Sequence, residues 1–161
     1  MKAAIIMGSD SDWPILKPAV DILKSFGIEA EVVVASAHRT PGKVRDFVLA
    51  APEKGISVFI VAAGAAAHLA GVVASYTTLP VIGVPINATA LNGMDALLST
   101  VQMPSGVPVA TMAINGAKNA AIFAVQIFAV GNADLAGKLA AYREKMVEEV
   151  EKKAARVAAQ L

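Results

Sequence analysis

The chain has no cysteine, one tryptophan and two histidines among its 161 residues. Without cysteine it can form no disulfide, no thiolate metal site and no cysteine nucleophile, a composition that fits a reducing cytosol. Charge of one sign is also missing. The 14 basic and 13 acidic residues leave a formal net charge of +1, so neither nucleic acid nor an anionic membrane surface is a predicted partner, and any anion recognition must be local. No apolar run reaches the ~18 to 20 uncharged residues of a membrane span, because Gly, Pro, Asn or Lys interrupts each one. The first residues enter an apolar strand pattern with no charged leader, which predicts an unexported, cytoplasmic protein. The length is that of a single domain spanning 1–161.

What the chain has in excess is small apolar side chains. Hydrophobic residues make up 56% of it and aromatics only 5%, and the mean hydropathy is +0.60. That surplus either fills an alanine-rich core or is buried between subunits; the second reading predicts a homo-oligomer. Mostly continuous apolar runs at 3–7, 31–35, 58–62, 81–84 and 109–112 read as strands buried on both faces. Helical patterns alternate with them at about 11–26, 41–54, 66–75, 93–101 and 117–130. The alternation predicts an α/β fold, a parallel sheet of about five strands with helices on both faces. The helix at 117–130 has few polar residues and should be buried nearly all round. A final amphipathic helix at about 134–157 carries Leu135, Leu139, Tyr142, Met146, Val150 and Val157 on one stripe, to dock either on its own domain or across a neighbouring subunit.

In an open parallel sheet, ligands bind outside the carboxyl ends of the strands, and three polar clusters fall there. The first is Gly8-Ser9-Asp10-Ser11-Asp12-Trp13-Pro14. Gly8 permits a tight turn, and Ser11 or Asp12 can cap the helix; the same hydroxyls and free N–H groups can bind phosphate, and a carboxylate there suits ribose hydroxyls. The second is Ser36-Ala37-His38-Arg39-Thr40-Pro41. Thr40 is a natural N-cap and Pro41 a natural first helical residue, which leaves His38 and Arg39 in the loop. Arg39 can fork onto a phosphate, and imidazole is the one side chain in this loop suited to exchanging a proton near neutrality. The third runs from Ala63 and Gly64 through Ala65, Ala66 and Ala67 to His68 and Leu69. It places His68 in the first turn of a helix, behind a loop with almost no side chains, where backbone N–H groups can hold a carboxylate or carbon dioxide. Plain helix caps and a half-buried histidine bonded to a carbonyl account for the same residues. The loops at 85–93 and 102–106 add neutral polar groups. The two histidines lack a ligand spacing, and there is neither a Walker loop nor a GxGxxG fingerprint, so no metal, nucleoside triphosphate or dinucleotide is predicted.

Taken together, Met7 to Trp13, Ser36 to Pro41, Ala66 to Leu69, Pro80 to Pro85, Val101 to Pro104, Gly106 to Val109 and Ala117 to Ala121 resemble the class I N5-carboxyaminoimidazole ribonucleotide mutases. This is the purine-synthesis family also known as the catalytic subunit of phosphoribosylaminoimidazole carboxylase. The resemblance runs in order over nearly the whole chain. It implies a flavodoxin-like three-layer domain, an octameric assembly, no metal or organic cofactor, and a small ribonucleotide substrate whose carboxylate moves from the exocyclic nitrogen to ring carbon 4. By position, it implies that Ser9, Asp12 and Arg39 hold the ribose phosphate with Ser11 and Ser36 assisting, and that His38 transfers the proton. The loop from Gly64 through Ala65 to Leu69 would confine carbon dioxide, with His68 helping to shape that pocket. A subclass using free carbon dioxide typically has lysine after the loop histidine, so Arg39 points to the mutase. A carboxylase or decarboxylase acting on a related heterocycle, and a weakly active nucleotide-binding relative, are the alternatives. The chain departs from the family pattern at Ala62 and Ala65, where glycine is usual, and at Ala70, where proline is usual. The first two predict extra methyl groups beside the carbon dioxide pocket.

Overall fold

In the computed structural model, which describes residues 1–160, the strands are β1 (Lys2–Met7), β2 (Glu29–Val34), β3 (Ile56–Gly64), β4 (Val81–Ile86) and β5 (Ala110–Thr111). They form one sheet in the order β2-β1-β3-β4-β5, with every pairing parallel. The helices are α1 (Trp13–Ser25), α2 (Pro41–Leu49), α3 (Leu69–Ser75), α4 (Met94–Val101), α5 (Ala117–Ala129) and α6 (Ala133–Ala158), with a 3₁₀ turn at Asp10–Asp12 ahead of α1. This is the predicted flavodoxin-like, three-layer α/β order. Residues 1–124 make one compact unit that contains the sheet, and a second unit begins at 125 and contains α6.

The apolar runs account for the central strands. Ala3, Ala4, Ile5, Ile6 and Met7 of β1 are all buried, because successive side chains point to opposite faces and both faces are covered. On one face Ala4 and Ile6 join Phe59 and Val61 of β3 against Val44, Phe47 and Val48 of α2 and Leu69 and Val73 of α3. Burying a Val, Leu, Ile or Phe in such a layer stabilises by about 1.5–3 kcal/mol. This core is what holds the strand ends, and the loops that leave them, in fixed register.

Two expectations are corrected here. The second strand is not buried on both faces: Val32 and Val34 are exposed, because β2 is the edge of the sheet and a run of valines reads the same at an edge as in the centre. That edge is guarded by lysines. Lys43 Nζ donates to the Val34 carbonyl at 2.8 Å, and Lys54 and Lys2 both reach the Glu31 carboxylate, which holds its pKa below the usual range. Nor is α5 buried all round. Lys118 and Asn119 are exposed and Ile122 and Phe123 only half-buried. Hydrophobic composition predicts that a helix has partners without saying that they come from the same chain. On α6, Leu135 is buried whereas Met146, Val150 and Val157 are exposed.

Candidate functional site

The chain leaves β1 for β2 on one side and returns through β3 on the other, so the loops after β1 and β3 part at the carboxyl edge of the sheet, the usual ligand position in this topology. A cavity of about 370 Å³ opens at that point. The residues singled out from the sequence converge on it: Ser9, Ser11 and Asp12 after β1, Ser36, His38 and Arg39 after β2, and Gly64, Ala65, His68 and Leu69 after β3.

The turn between β2 and α2 is closed by its own side chains. Thr40 stands at the N-cap position but does not cap. Its hydroxyl instead donates to the Ser36 carbonyl at 3.2 Å and accepts from the Ser36 N–H at 2.9 Å, while Ser36 Oγ accepts from the Arg39 N–H at 3.2 Å. These bonds compete successfully with the helix for Thr40, as short hydroxyl side chains do at turns. They fix the backbone from which His38 and Arg39 project. Arg39 Nη2 donates to the Gly8 carbonyl at 3.1 Å, tying this turn to the loop after β1 and leaving the other guanidinium donors for a ligand.

His38 and His68 meet across the cavity, with Nε2 of the first 2.8 Å from Nδ1 of the second and the rings nearly perpendicular at 79°. Only one hydrogen fits between two nitrogens at that distance, so one ring donates and the other accepts. His68 is the residue before α3, not part of its first turn as predicted. The loop ahead of it closes in two tight steps, the Ala67 N–H to the Ala65 carbonyl and the His68 N–H to the Ala66 carbonyl, each at 2.8 Å.

On the opposite wall, Ser9 caps the 3₁₀ turn through its hydroxyl, which accepts from the Ser11 N–H at 3.3 Å and the Ser11 hydroxyl at 2.9 Å. Asp12 begins α1 without capping it; it is only 5% exposed. Burial pushes its carboxyl above the ordinary pKa, against the opposing pull of hydrogen bonds from the Ser9 backbone and the Ser11 hydroxyl. The wall thus offers hydroxyls at its rim and a carboxylate at its base.

The glycines and alanines behave differently from expectation. Gly8 has no positive φ, and nothing lies within 4 Å of where its Cβ would stand; a side chain there would occupy open space beside the cavity, and the turn itself does not require glycine. Gly64 is required by close approach, since a Cβ would meet the Ala88 Cβ at 2.7 Å. Ala88, from the loop after β4, lines the cavity. Its plain side chain gave no signal in the sequence, and only the β3–β4 pairing of Gly64 with Ile86 brings it there. Ala65 does adopt the left-handed backbone, with φ 54°, and it lines the cavity. Ala62 does not line it: it is buried within β3, paired with Met7, so only one of the two extra methyl groups reaches the pocket.

The AIR carboxylase family model matches residues 2–149. Over 156 residues the chain is 53% identical to the N5-carboxyaminoimidazole ribonucleotide mutase of Thermotoga maritima, covering 97% of this chain and 91% of that protein. It is 54% identical over 153 residues to the protein of the same name from Pyrococcus horikoshii, covering 95% of this chain and 86% of the relative. Among solved structures, Treponema denticola PurE matches with a TM-score of 0.85 at 27% identity, over 96% of this chain and 97% of that one.

Proposed function

Because the chain belongs to the AIR carboxylase family, we propose that it is an isomerase of purine biosynthesis that converts N5-carboxyaminoimidazole ribonucleotide to 4-carboxy-5-aminoimidazole ribonucleotide. The observation that carries this reading is the His38–His68 contact, facing the serine-rich wall across one cavity at the sheet's switch point.

The work divides along the cavity. Arg39, Ser9 and Ser11 supply charged and hydroxyl donors for the ribose phosphate, with Ser36 holding the turn and Asp12 at the base of the wall. At the other end the carbamate N–C bond breaks, carbon dioxide leaves, and the exocyclic nitrogen takes a proton from His38. Carbon 4 of the ring then attacks the carbon dioxide, and His38 takes back the proton that carbon 4 loses as aromaticity returns. One proton is given and one recovered, so a single imidazole suffices. His68 orients the His38 ring. The nearly side-chain-free stretch from Gly64 and Ala65 to Ala67, with Leu69 at the start of α3, walls in the carbon dioxide between the two steps. A homo-oligomer, an octamer by the family resemblance, would cover the exposed apolar residues Met94, Leu98 and Val101 on α4 and Met146 and Val150 on α6, and the cysteine-free composition fits a cytoplasmic site of action.

The test is an assay of carboxylate transfer with purified protein. The carbamate in carbon-dioxide-depleted buffer should yield the C4-carboxylated product. Formation of that product only from aminoimidazole ribonucleotide plus free carbon dioxide would instead identify a carboxylase.

A further inference from the structure

The loop after β4 bears no group that reacts, yet it is held on two sides by side chains that do nothing else visible in the fold. At its start the Asn87 N–H donates to Asn115 Oδ1 at 2.9 Å, and the Asn115 N–H donates to the Pro85 carbonyl at 2.8 Å. Asn115 takes a left-handed φ of 58° to make both bonds, a conformation asparagine tolerates better than most residues. Further on, Thr89 Oγ1 donates to Asp95 Oδ2 at 2.7 Å and accepts from the Leu91 N–H at 3.1 Å, and the Thr89 carbonyl accepts from the Asn92 N–H. Asp95 Oδ1 is buried with no hydrogen-bond partner among the described residues. Between the two clamps sits Ala88, the residue that closes on Gly64 and lines the cavity.

We propose that Asn115 and Asp95 are positioning residues of the cavity, acting through Asn87 and Thr89 to hold Ala88 against the Gly64–His68 loop. The inference rests on the mutase reading for its chemical consequence. A wall held in place retains carbon dioxide between its release and its recapture; a loosened wall lets it escape, leaving free aminoimidazole ribonucleotide instead of the C4 product. Ground-state binding of the phosphate end, on the far wall, is untouched.

The experiment compares the wild type with Thr89→Val, which keeps the side chain's shape without its hydroxyl, Thr89→Ser, which restores the hydroxyl, and Asn115→Gly, which removes the other clamp without straining φ. Amide hydrogen exchange without substrate reads the loop directly. In Thr89→Val the Leu91 amide should exchange about tenfold faster, the scale of one lost hydrogen bond, and in Asn115→Gly the Asn87 amide should do the same. With the carbamate, the fraction of substrate lost as free carbon dioxide should be at least about threefold that of the wild type in both variants while KM stays within about twofold, and Thr89→Ser should match the wild type in both measurements. Unchanged exchange and partition in Thr89→Val, or failure of Thr89→Ser to restore them, overturns the clamp. A wild type that does not convert the carbamate sinks the mutase reading instead, and the exchange measurement still decides the loop.

Discussion

His38 Nε2 lies 2.8 Å from His68 Nδ1, although 30 positions separate them in the chain. The contact uses one nitrogen of each ring and leaves Nδ1 of His38 and Nε2 of His68 for other partners. It also joins the loop after β2 to the loop after β3, with β1 between their strands in the sheet. In the proposed mutase reaction His38 would therefore exchange its proton from a ring whose orientation is set by a second loop.

Replacing His38 with asparagine keeps a hydrogen-bonding side chain and removes the exchangeable ring proton. Turnover in the carboxylate-transfer assay should fall by about 10² to 10⁴, the usual share of general acid–base catalysis, while ribonucleotide binding persists. Near-normal turnover, or binding lost to the same extent as rate, would move the proton transfer to His68.

Arg39 occupies the same turn but faces the other task. Its guanidinium reaches the Gly8 carbonyl, beside Ser9 and Ser11, where a phosphate would lie. Arg39→Ala should weaken substrate binding by roughly 2 to 4 kcal/mol, the scale for a held anion that loses its charge-assisted partner. Titration calorimetry showing wild-type affinity would remove Arg39 from the phosphate site.

Much of this site was legible in the sequence, for a physical reason. In a parallel sheet the end of each strand is also the edge of the ligand crevice, so polar residues that follow apolar runs declare their own position. What stayed hidden depends on distant packing. The His38–His68 contact and the approach of Ala88 to Gly64 come from strand register, which no local pattern encodes. The exposure of β2 is hidden in the same way, since edge and centre differ in neighbours and not in composition. Thr40 illustrates the opposite failure: its sequence signal was correct for a helix start, but the hydroxyl was captured by Ser36.

Ala65 holds φ 54° in the cavity wall, a conformation that costs an L-residue roughly 1–2 kcal/mol. Ala65→Gly relieves that strain and also raises the entropy of the unfolded chain, by about 0.4–1 kcal/mol. Denaturant midpoints should therefore hold or rise modestly, since the strain relieved outweighs the entropy term, and turnover should stay level or rise, as the pocket loses a methyl group. A sharp fall in turnover would make Ala65 a fitted part of this cavity.

The oligomer is checked by light scattering. A chain of 16.5 kDa with α4 and α6 presenting exposed Met, Leu and Val should scatter as a closed multiple of that mass, about eightfold for an octamer. A monomer at micromolar concentration would leave those residues unexplained and defeat the proposal.

Asp12 ties the site to stability. Burial raises its pKa in the folded state, and the Ser9 and Ser11 hydrogen bonds offset only part of that rise. The charged carboxylate is thus a cost to the fold at neutral pH. As pH falls through the raised folded-state value the folded protein takes up a proton before the unfolded chain does, and stability from this group increases; below the ordinary carboxylate value of about 3.9 both states are protonated and the dependence ends. Asp12→Asn removes the titration while keeping one acceptor oxygen. Denaturant midpoints measured from neutral pH down to about pH 4 should then show the wild type gaining stability relative to Asp12→Asn as pH falls, with the variant also binding the ribonucleotide more weakly because its carboxylate is gone. If the difference between the two midpoints is constant across that range, Asp12 does not titrate abnormally in the fold, and its burial is fully compensated by the Ser9 and Ser11 hydrogen bonds.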